Sequence, residues 1–435
     1  MCGIAGFLNP RNNDKKTEEE IYQILKKMNE VQRHRGPDDE GIFLENGCAL
    51  GHVRLSILDL YRGHQPMCKK KEGNTYAIIL NGEIYNMKTL KEQLIKEGEM
   101  FSTTSDTEVV LTGYIRYGIS YIEELNGIFS IALWDGKRKK LYLIRDRVGV
   151  KPLFYTKRGD TLIFASEIKG LFAYPGVKPV INREGLCEIF GLGPAKSYGK
   201  GVFKDIYEVL PGHFLEYDRE GLKDRAYWEL KAKEHTDSEK DTIEHTRWLV
   251  KDAVEMQMLS DIPISTFLSG GVDSSLVTAI CAKKLQKEGK NLNTFSFDFV
   301  NNHKYFKSNA FQPSEDRPWV DKMVDHAKTD HRYLECDNEN MIENLYKAVD
   351  ARDLPCMADV ESSMLYFCSK VVKYNKVTLT GECADEIFGG YPWFHKEECF
   401  KAEIFPWSMD MQPRKMLLND LSLIHISEPT RLQLI

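Results

Sequence analysis

The stretch Leu268-Ser269-Gly270-Gly271-Val272-Asp273-Ser274-Ser275 constrains this chain more than any other. Before it, residues 262–268 form a short apolar run opened by Pro263, the pattern of a buried strand. After it, residues 276–285 have helical spacing, with Ser274 and Ser275 suited to the first turn. A strand that breaks into paired glycines and then enters a helix makes an anion cradle. Backbone N–H groups converge on one oxyanion cluster, and the helix N-terminus adds partial positive charge. Asp273 lies inside that cradle, where a carboxylate repels phosphate unless a cation sits between them; magnesium suits the position. The lysine of a Walker loop is missing, so that mechanism is excluded. Taken alone, the same residues also describe a capped Gly-Gly turn.

A second loop weighs against the turn. Beyond the first, residues 294–299 read as a strand, 319–326 and 361–374 as helices, and 377–380 again as a strand. Such alternation predicts a parallel sheet covered on both faces, with ligands beyond the carboxyl ends of its strands. Thr380-Gly381-Glu382-Cys383-Ala384-Asp385-Glu386 lies at such an end and is closed by Phe388-Gly389-Gly390-Tyr391. Two carboxylate-bearing glycine turns facing one ligand are the pattern of a nucleotide site.

At 435 residues the chain is too long for one ordinary core, so two or more domains are expected. A net charge of -6 gives no polyanion-binding signature, which argues against nucleic acid as a partner. No apolar run reaches membrane-spanning length, and Met1-Cys2-Gly3 opens without a signal-like core, so no membrane association is expected. The ten cysteines include no C-x-x-C pair, which suits buried thiols in a reducing cytoplasm better than disulfides or zinc.

Cys2 stands directly behind the initiator methionine and leads a strand-like run. If Met1 is removed, Cys2 carries a thiol and a free α-amine on one residue. An α-amine titrates near ~8, so a useful fraction accepts a proton at neutral pH. Nucleophile and general base then come from one residue, without a histidine.

Cys2-Gly3-Ile4 resembles the opening of the class II glutamine amidotransferases, and further motifs follow in that family's order. His34-Arg35-Gly36-Pro37-Asp38 is similar to its glutamine loop, and Gly51-His52-Val53-Arg54-Leu55-Ser56-Ile57 to its arginine strand. Asn81-Gly82-Glu83-Ile84-Tyr85-Asn86, Ser105-Asp106-Thr107-Glu108, Asn126-Gly127-Ile128-Phe129 and Arg145-Asp146-Arg147-Val148-Gly149-Val150-Lys151-Pro152-Leu153 complete the series. The resemblance implies an N-terminal-nucleophile (Ntn) hydrolase αββα sandwich with Cys2 as nucleophile. It assigns the oxyanion donors to the Asn81 side chain and the Gly82 N–H. Arg54 would take the glutamine carboxylate through a bidentate fork, and Asp106 with Glu83 the ammonium. Pattern alone gives only a β-rich unit with helices at residues 87–96 and 107–117.

Composition shifts after about Gly212, and residues 231–241 are a dense mixed-charge run without a core period. The expected division is a glutaminase domain over 2–212, a linker over 213–241 and a second domain over 242–420. A helix over residues 242–259 should present Ile243, Leu249, Val250, Ala253 and Val254 on one face. The two glycine loops of the second domain resemble the ATP-pyrophosphatase (PP-loop, adenine nucleotide alpha hydrolase-like) domain of the asparagine synthetase family. That resemblance implies an α/β parallel-sheet domain binding ATP through Leu268, Ser269, Gly270, Gly271, Asp273, Ser274, Ser275, Phe297, Thr380 and Gly381. It places Mg2+ on Asp273 and Asp385, and gives Glu382 a part in adenylate formation.

The two halves explain each other. A carboxylate is a poor electrophile until adenylated, and free ammonia is mostly ammonium at neutral pH unless a dry passage delivers it. The implied small molecules are glutamine, aspartate and ATP, and the resemblance leaves room for a homodimer. Residues 356–359 lack an arginine found in some members, so another acceptor acid stays open. Thr380 stands where serine is usual but keeps the hydroxyl. Lactam-forming relatives lack the N-terminal nucleophile, so Cys2 argues against them. The polar insert over 301–318 reads as a surface or lid loop. Residues 421–431 read like one frame of a sequencing adapter, so the authentic sequence is expected to stop near Asp420 and a full member to continue. A chain cut there would keep glutamine hydrolysis or ligand binding without completing synthesis.

Overall fold

The computed structural model describes all residues except 12, 14, 15, 194, 309–311, 313, 402–415 and 417–435. The adapter-like tail lies outside the described residues. The chain forms two compact units, one of Met1–Leu186 with Lys196–Thr236, the other of Cys187–Ala195 with residues from Asp237 onward.

The first unit begins with β1 (Gly3–Leu8), α1 (Glu18–Glu30), β2 (Asp39–Glu45), β3 (Cys48–Arg54), β4 (Met67–Lys71) and β5 (Asn74–Ile84). There follow α2 (Met87–Lys96), α3 (Asp106–Tyr117), β6 (Gly127–Asp135), β7 (Lys140–Arg145), β8 (Phe154–Arg158) and β9 (Thr161–Ala165). The short helices α4 (Ile168–Phe172) and α5 (Arg183–Cys187) precede β10 (Tyr207–Glu208), β11 (His213–Asp218) and β12 (Gly221–Ala226). The strands form two antiparallel six-stranded sheets, ordered β10-β8-β9-β1-β3-β2 and β12-β11-β7-β6-β5-β4.

Ile4, Leu50 and Phe164 of one sheet share a buried core with Ile79, Trp134 and Leu143 of the other. α1, opened by a capping box between Thr17 and Glu20, covers the outer face of the first sheet, and α3 packs on β5. With helices outside and a second sheet inside, every residue of β1 and β3 is buried. That is why β1 reads as a continuous apolar run without alternation, while β3 buries His52 and Arg54 among its apolar residues. The architecture is the αββα sandwich.

The linker expected over 213–241 needs correction. Residues 213–226 are the hairpin β11–β12, with Phe214 paired to Ile144 of β7 and to Arg225. β12 closes the edge of its sheet and carries Lys223, Asp224 and Arg225, so its charge hides its strand character. Only residues 227–238 run outside regular structure, before α6 (Glu239–Gln257).

The second unit continues with β13 (Ile264–Phe267), α7 (Val272–Lys287), β14 (Asn293–Phe299), α8 (Asn302–Tyr305), α9 (Arg317–Ala327) and β15 (Asp330–Cys336). There follow α10 (Asn338–Arg352), α11 (Ala358–Val371), β16 (Val377–Leu379), α12 (Ala384–Phe388) and α13 (Glu397–Lys401). Its four strands are parallel, in the order β15-β14-β13-β16. Helices cover both faces. On one, Thr266 Oγ1 meets Thr278 Oγ1 of α7 at 2.8 Å. On the other, the ring of Phe267 lies 4.7 Å from that of Phe367 on α11.

The face expected on α6 is half right. Val254 and Met258 pack against Cys281, Ala282 and Ala327, but Ile243 and Leu249 are exposed because the first turns of α6 lie beyond that core. The insert contains the single turn α8, and part of it lies outside the described residues.

Candidate active sites

Cys2 stands at the head of β1. The register Gly3↔Val53 sets it beside Arg54, the last residue of β3. The Leu55 N–H donates to Cys2 Sγ at 3.4 Å. Burial pushes the thiol above its ordinary range, so it needs a base before it can attack. Arg35 donates from Nε to the Cys2 carbonyl at 2.8 Å and holds Glu167 through Nη1 at 2.9 Å. His34 and Lys169 also reach Glu167, at 3.0 and 3.2 Å. Sequence reasoning placed Arg35 in a motif without a role; its clamp on the chain terminus emerges only in three dimensions.

Asn81, Gly82 and Glu83 end β5 beside β6. Asn81 is fully buried; its amide nitrogen reaches Ser130 Oγ at 3.5 Å, and its Oδ1 has no partner. Gly82 has φ +153°, and a Cβ there would lie 2.0 Å from the Ile128 carbonyl oxygen, so only glycine fits. Asp106, buried in the first turn of α3, accepts the Ile84 N–H at 3.0 Å. Burial raises both Glu83 and Asp106, and Asp106 pushes Glu83 further. Two enclosed carboxylates of this kind suit a cation, because a positive charge between them would relieve both.

Arg54 is buried and commits Nη2 to the Leu58 and Asp59 carbonyls, each at 2.8 Å. A Cβ on Gly63 would meet that nitrogen at 2.1 Å, so the loop closes over the guanidinium only as glycine. The Nε–Nη1 edge is left to pair with a carboxylate in fork geometry.

In the second unit the strand order reverses between β13 and β16, which lie side by side. Open parallel sheets bind ligands at such a switch point. Both glycine turns leave from its carboxyl end and border one cavity of about 380 Å³. Leu268, Ser269, Gly271, Asp273, Ser274, Phe297, Thr380, Gly381, Glu382 and Asp385 line it. Gly270 and Ser275 do not. Gly270 has φ +83° and backs onto Trp319 and Asp316, while Ser275 spends its N–H on the Gly271 carbonyl at 3.1 Å.

Gly271 caps α7 with no side-chain hydrogen bond, which leaves N–H groups of the first turn available to an anion. Asp385 Oδ1 reaches so close to Gly390 that a Cβ there would sit 1.9 Å away. Asp316, Met364, Phe367 and Cys383 also line the cavity and were missed. Met364 and Phe367 look like ordinary core positions of α11, while Asp316 and Cys383 arrive through loops without a readable period.

Two family models match the chain in this order. A glutamine amidotransferase domain covers residues 1–228, and asparagine synthase covers residues 245–431. Asparagine synthetase [glutamine-hydrolyzing] 3 of Bacillus subtilis is 46% identical over 421 residues, which is 97% of this chain and 68% of that protein. The chain belongs to the glutamine-hydrolysing asparagine synthetase family.

Asparagine synthetase [glutamine-hydrolyzing] 3 of Arabidopsis thaliana is 30% identical over 91% of this chain and 62% of its own length. A relative named amidase chyE, from Penicillium rubens, is 31% identical over 91% of this chain and 60% of its own. For this asparagine synthetase homologue, the expectation of an Ntn-type sandwich followed by a parallel-sheet synthetase domain is borne out.

Proposed function

We propose that this asparagine synthetase homologue couples two half-reactions. In the first, Met1 is removed and the Cys2 thiol attacks the carboxamide carbon of glutamine while its α-amine takes the thiol proton. The oxyanion is met by the Asn81 amide and the Gly82 N–H. Collapse breaks the C–N bond, and the departing nitrogen leaves as ammonia with that proton. Water then hydrolyses the thioester to glutamate. Arg54 holds the glutamine carboxylate, and Glu83 with Asp106 holds its ammonium.

In the second, ATP binds with its phosphates at the Ser269–Ser274 turn and its base among Leu268, Phe297 and neighbouring apolar groups. An aspartate carboxylate oxygen attacks the α-phosphorus and pyrophosphate leaves. Ammonia then attacks the acyl carbon and displaces AMP, giving asparagine. Thr380, Gly381 and Glu382 lie beside the adenylate. Asp273 and Asp385 suit magnesium, which takes one or two carboxylates together with substrate phosphates. Such an ion neutralises the phosphate charge that Asp273 would otherwise repel.

The observation that carries this reading is the meeting of both glycine turns at one cavity on the switch point. The missing arginine at residues 356–359 keeps a second reading, another acceptor acid in place of aspartate. For the setting we propose the cytoplasm, on the ten cysteines of the sequence, which include no C-x-x-C pair. The test supplies glutamine, ATP and magnesium with a series of carboxylic acids and follows pyrophosphate and amide. Asparagine formed only with aspartate supports the reading. Pyrophosphate released only with another acid selects the second acceptor, and none with any acid defeats both.

A further inference from the structure

Lys151 is a buried lysine that the half-reactions above leave without a role. It follows β7 in a turn fixed by Asp146, whose carboxylate accepts the Val150 and Lys151 N–H groups at 2.9 Å each. Arg145 Nε donates to the Lys151 carbonyl at 2.9 Å. These contacts aim the side chain inward, where only 7% of the residue stays exposed. Among the described residues its ammonium donates to one acceptor, the thioether of Met1 at 3.1 Å, and no carboxylate lies within ion-pairing distance. A thioether is a weak acceptor for a buried charge. It also belongs to the residue that must leave before Cys2 can act.

Charged groups from several elements act on the α-amine of Met1, one residue from that of processed Cys2. They are the Cys2 thiol, Arg35 after α1, Glu83 at the end of β5 and Lys151 after β7, with Arg54 and Asp106 acting on Glu83 and the thiol side. Glu83 Oε2 is buried and has no hydrogen-bond partner. Glu83 favours a protonated amine, and Arg35 and Lys151 oppose it. Arg35 is already engaged with the Cys2 carbonyl and Glu167. Among the described residues Lys151 has no ion pair with a carboxylate.

We propose that Lys151 is a positioning residue for glutamine hydrolysis, its ammonium keeping the α-amine of processed Cys2 unprotonated so that it can accept the thiol proton. The inference rests on the glutaminase reading above. The surroundings of the amine agree with it: the α-amine of Met1 is enclosed although the residue is half exposed, and it falls to about 5, through burial first and then Arg35 and Lys151 against the opposing pull of Cys2. A cation within a few ångströms lowers an amine by roughly one unit or more.

The test uses full-length protein whose loss of Met1 is established by intact mass. Glutamate release from glutamine is followed against pH for the wild type, Lys151→Met and Lys151→Arg. The expected result is an acid limb that moves upward by roughly one pH unit in K151M and stays near the wild-type position in K151R. The position of the limb, unlike its height, does not respond to a loss of folded protein. An unmoved limb in K151M overturns the inference, as does a uniform loss at all pH values shared by both variants. A wild type that releases no glutamate instead defeats the glutaminase reading itself.

Discussion

A Cβ on Gly381 would lie 2.9 Å from the Cβ of Asp273 and 2.7 Å from the backbone nitrogen of Ser274. The two strand-end turns therefore touch at a point where only a hydrogen fits. Gly381→Ala must push them apart, because the nearest atoms are backbone. Displacements near an ångström at a reacting centre cost up to ~100-fold. Pyrophosphate release should fall at least ~10-fold, with glutamate production from glutamine intact. Equal loss of both activities would show that the contact matters for stability alone.

Asp106→Asn tests the cation site. The amide can still accept the Ile84 N–H, but it removes the charge that Glu83 feels. A charge-assisted hydrogen bond is worth about 1.5–3 kcal/mol, so KM for glutamine should rise on the order of 10- to 100-fold with a smaller change in kcat. Michaelis curves for glutamate release check it, and an unchanged KM would remove Asp106 from the ammonium site.

Gly82→Ala combines a left-handed φ with a 2.0 Å clash against the Ile128 carbonyl oxygen. Strain of this kind and the forced shift between β5 and β6 should cost about 2–4 kcal/mol. Glutamine hydrolysis should be lost, and thermal melting should place the damage in the first unit's transition. A variant that melts like the wild type and still hydrolyses glutamine would contradict the close packing at this position.

Glu167 links pH to the clamp on Cys2. Burial alone would raise its carboxyl, but hydrogen bonds from His34 and Arg35 and their charges win and hold it at about 2. Its folded value lies below the unfolded value of 4.5, so the unfolded chain binds the proton first as pH falls. The stabilisation, about 3 kcal/mol at most, is complete above roughly pH 4.5 and is lost as the pH drops through about 2. Urea unfolding of wild type and Glu167→Gln between neutral pH and pH 2 should show a gap that closes over this window. A gap that stays constant would contradict the ion pair with Arg35.

Motif residues were legible wherever chemistry fixes both residue type and spacing. Cys2, Arg54, Asn81 and Asp106 are scattered in sequence and gather because β1 pairs with β3 while β5 packs against α3. The paired glycines and carboxylates of the second unit announced a strand-end site, and the strand order then placed both turns at one switch point. What stayed hidden were elements whose burial comes from neighbours. β15 carries Asp330, His331, Arg332 and Glu335 and is held by its register with β14, so it shows no apolar run. The hairpin β11–β12 looked like a linker for the same reason. Asp316 reaches the cavity of the second unit from the loop before α9, where no period could signal it.

The most direct measurement compares nitrogen sources in Cys2→Ala. Asparagine formation is followed with glutamine alone and with ammonium alone, at saturating ATP, magnesium and aspartate. The variant should lose the glutamine-dependent reaction and retain the ammonium-dependent one at the wild-type rate. Retention of glutamine use, or loss of both reactions in a protein that melts like the wild type, would contradict a terminal thiol that supplies nitrogen to a separate synthetase site.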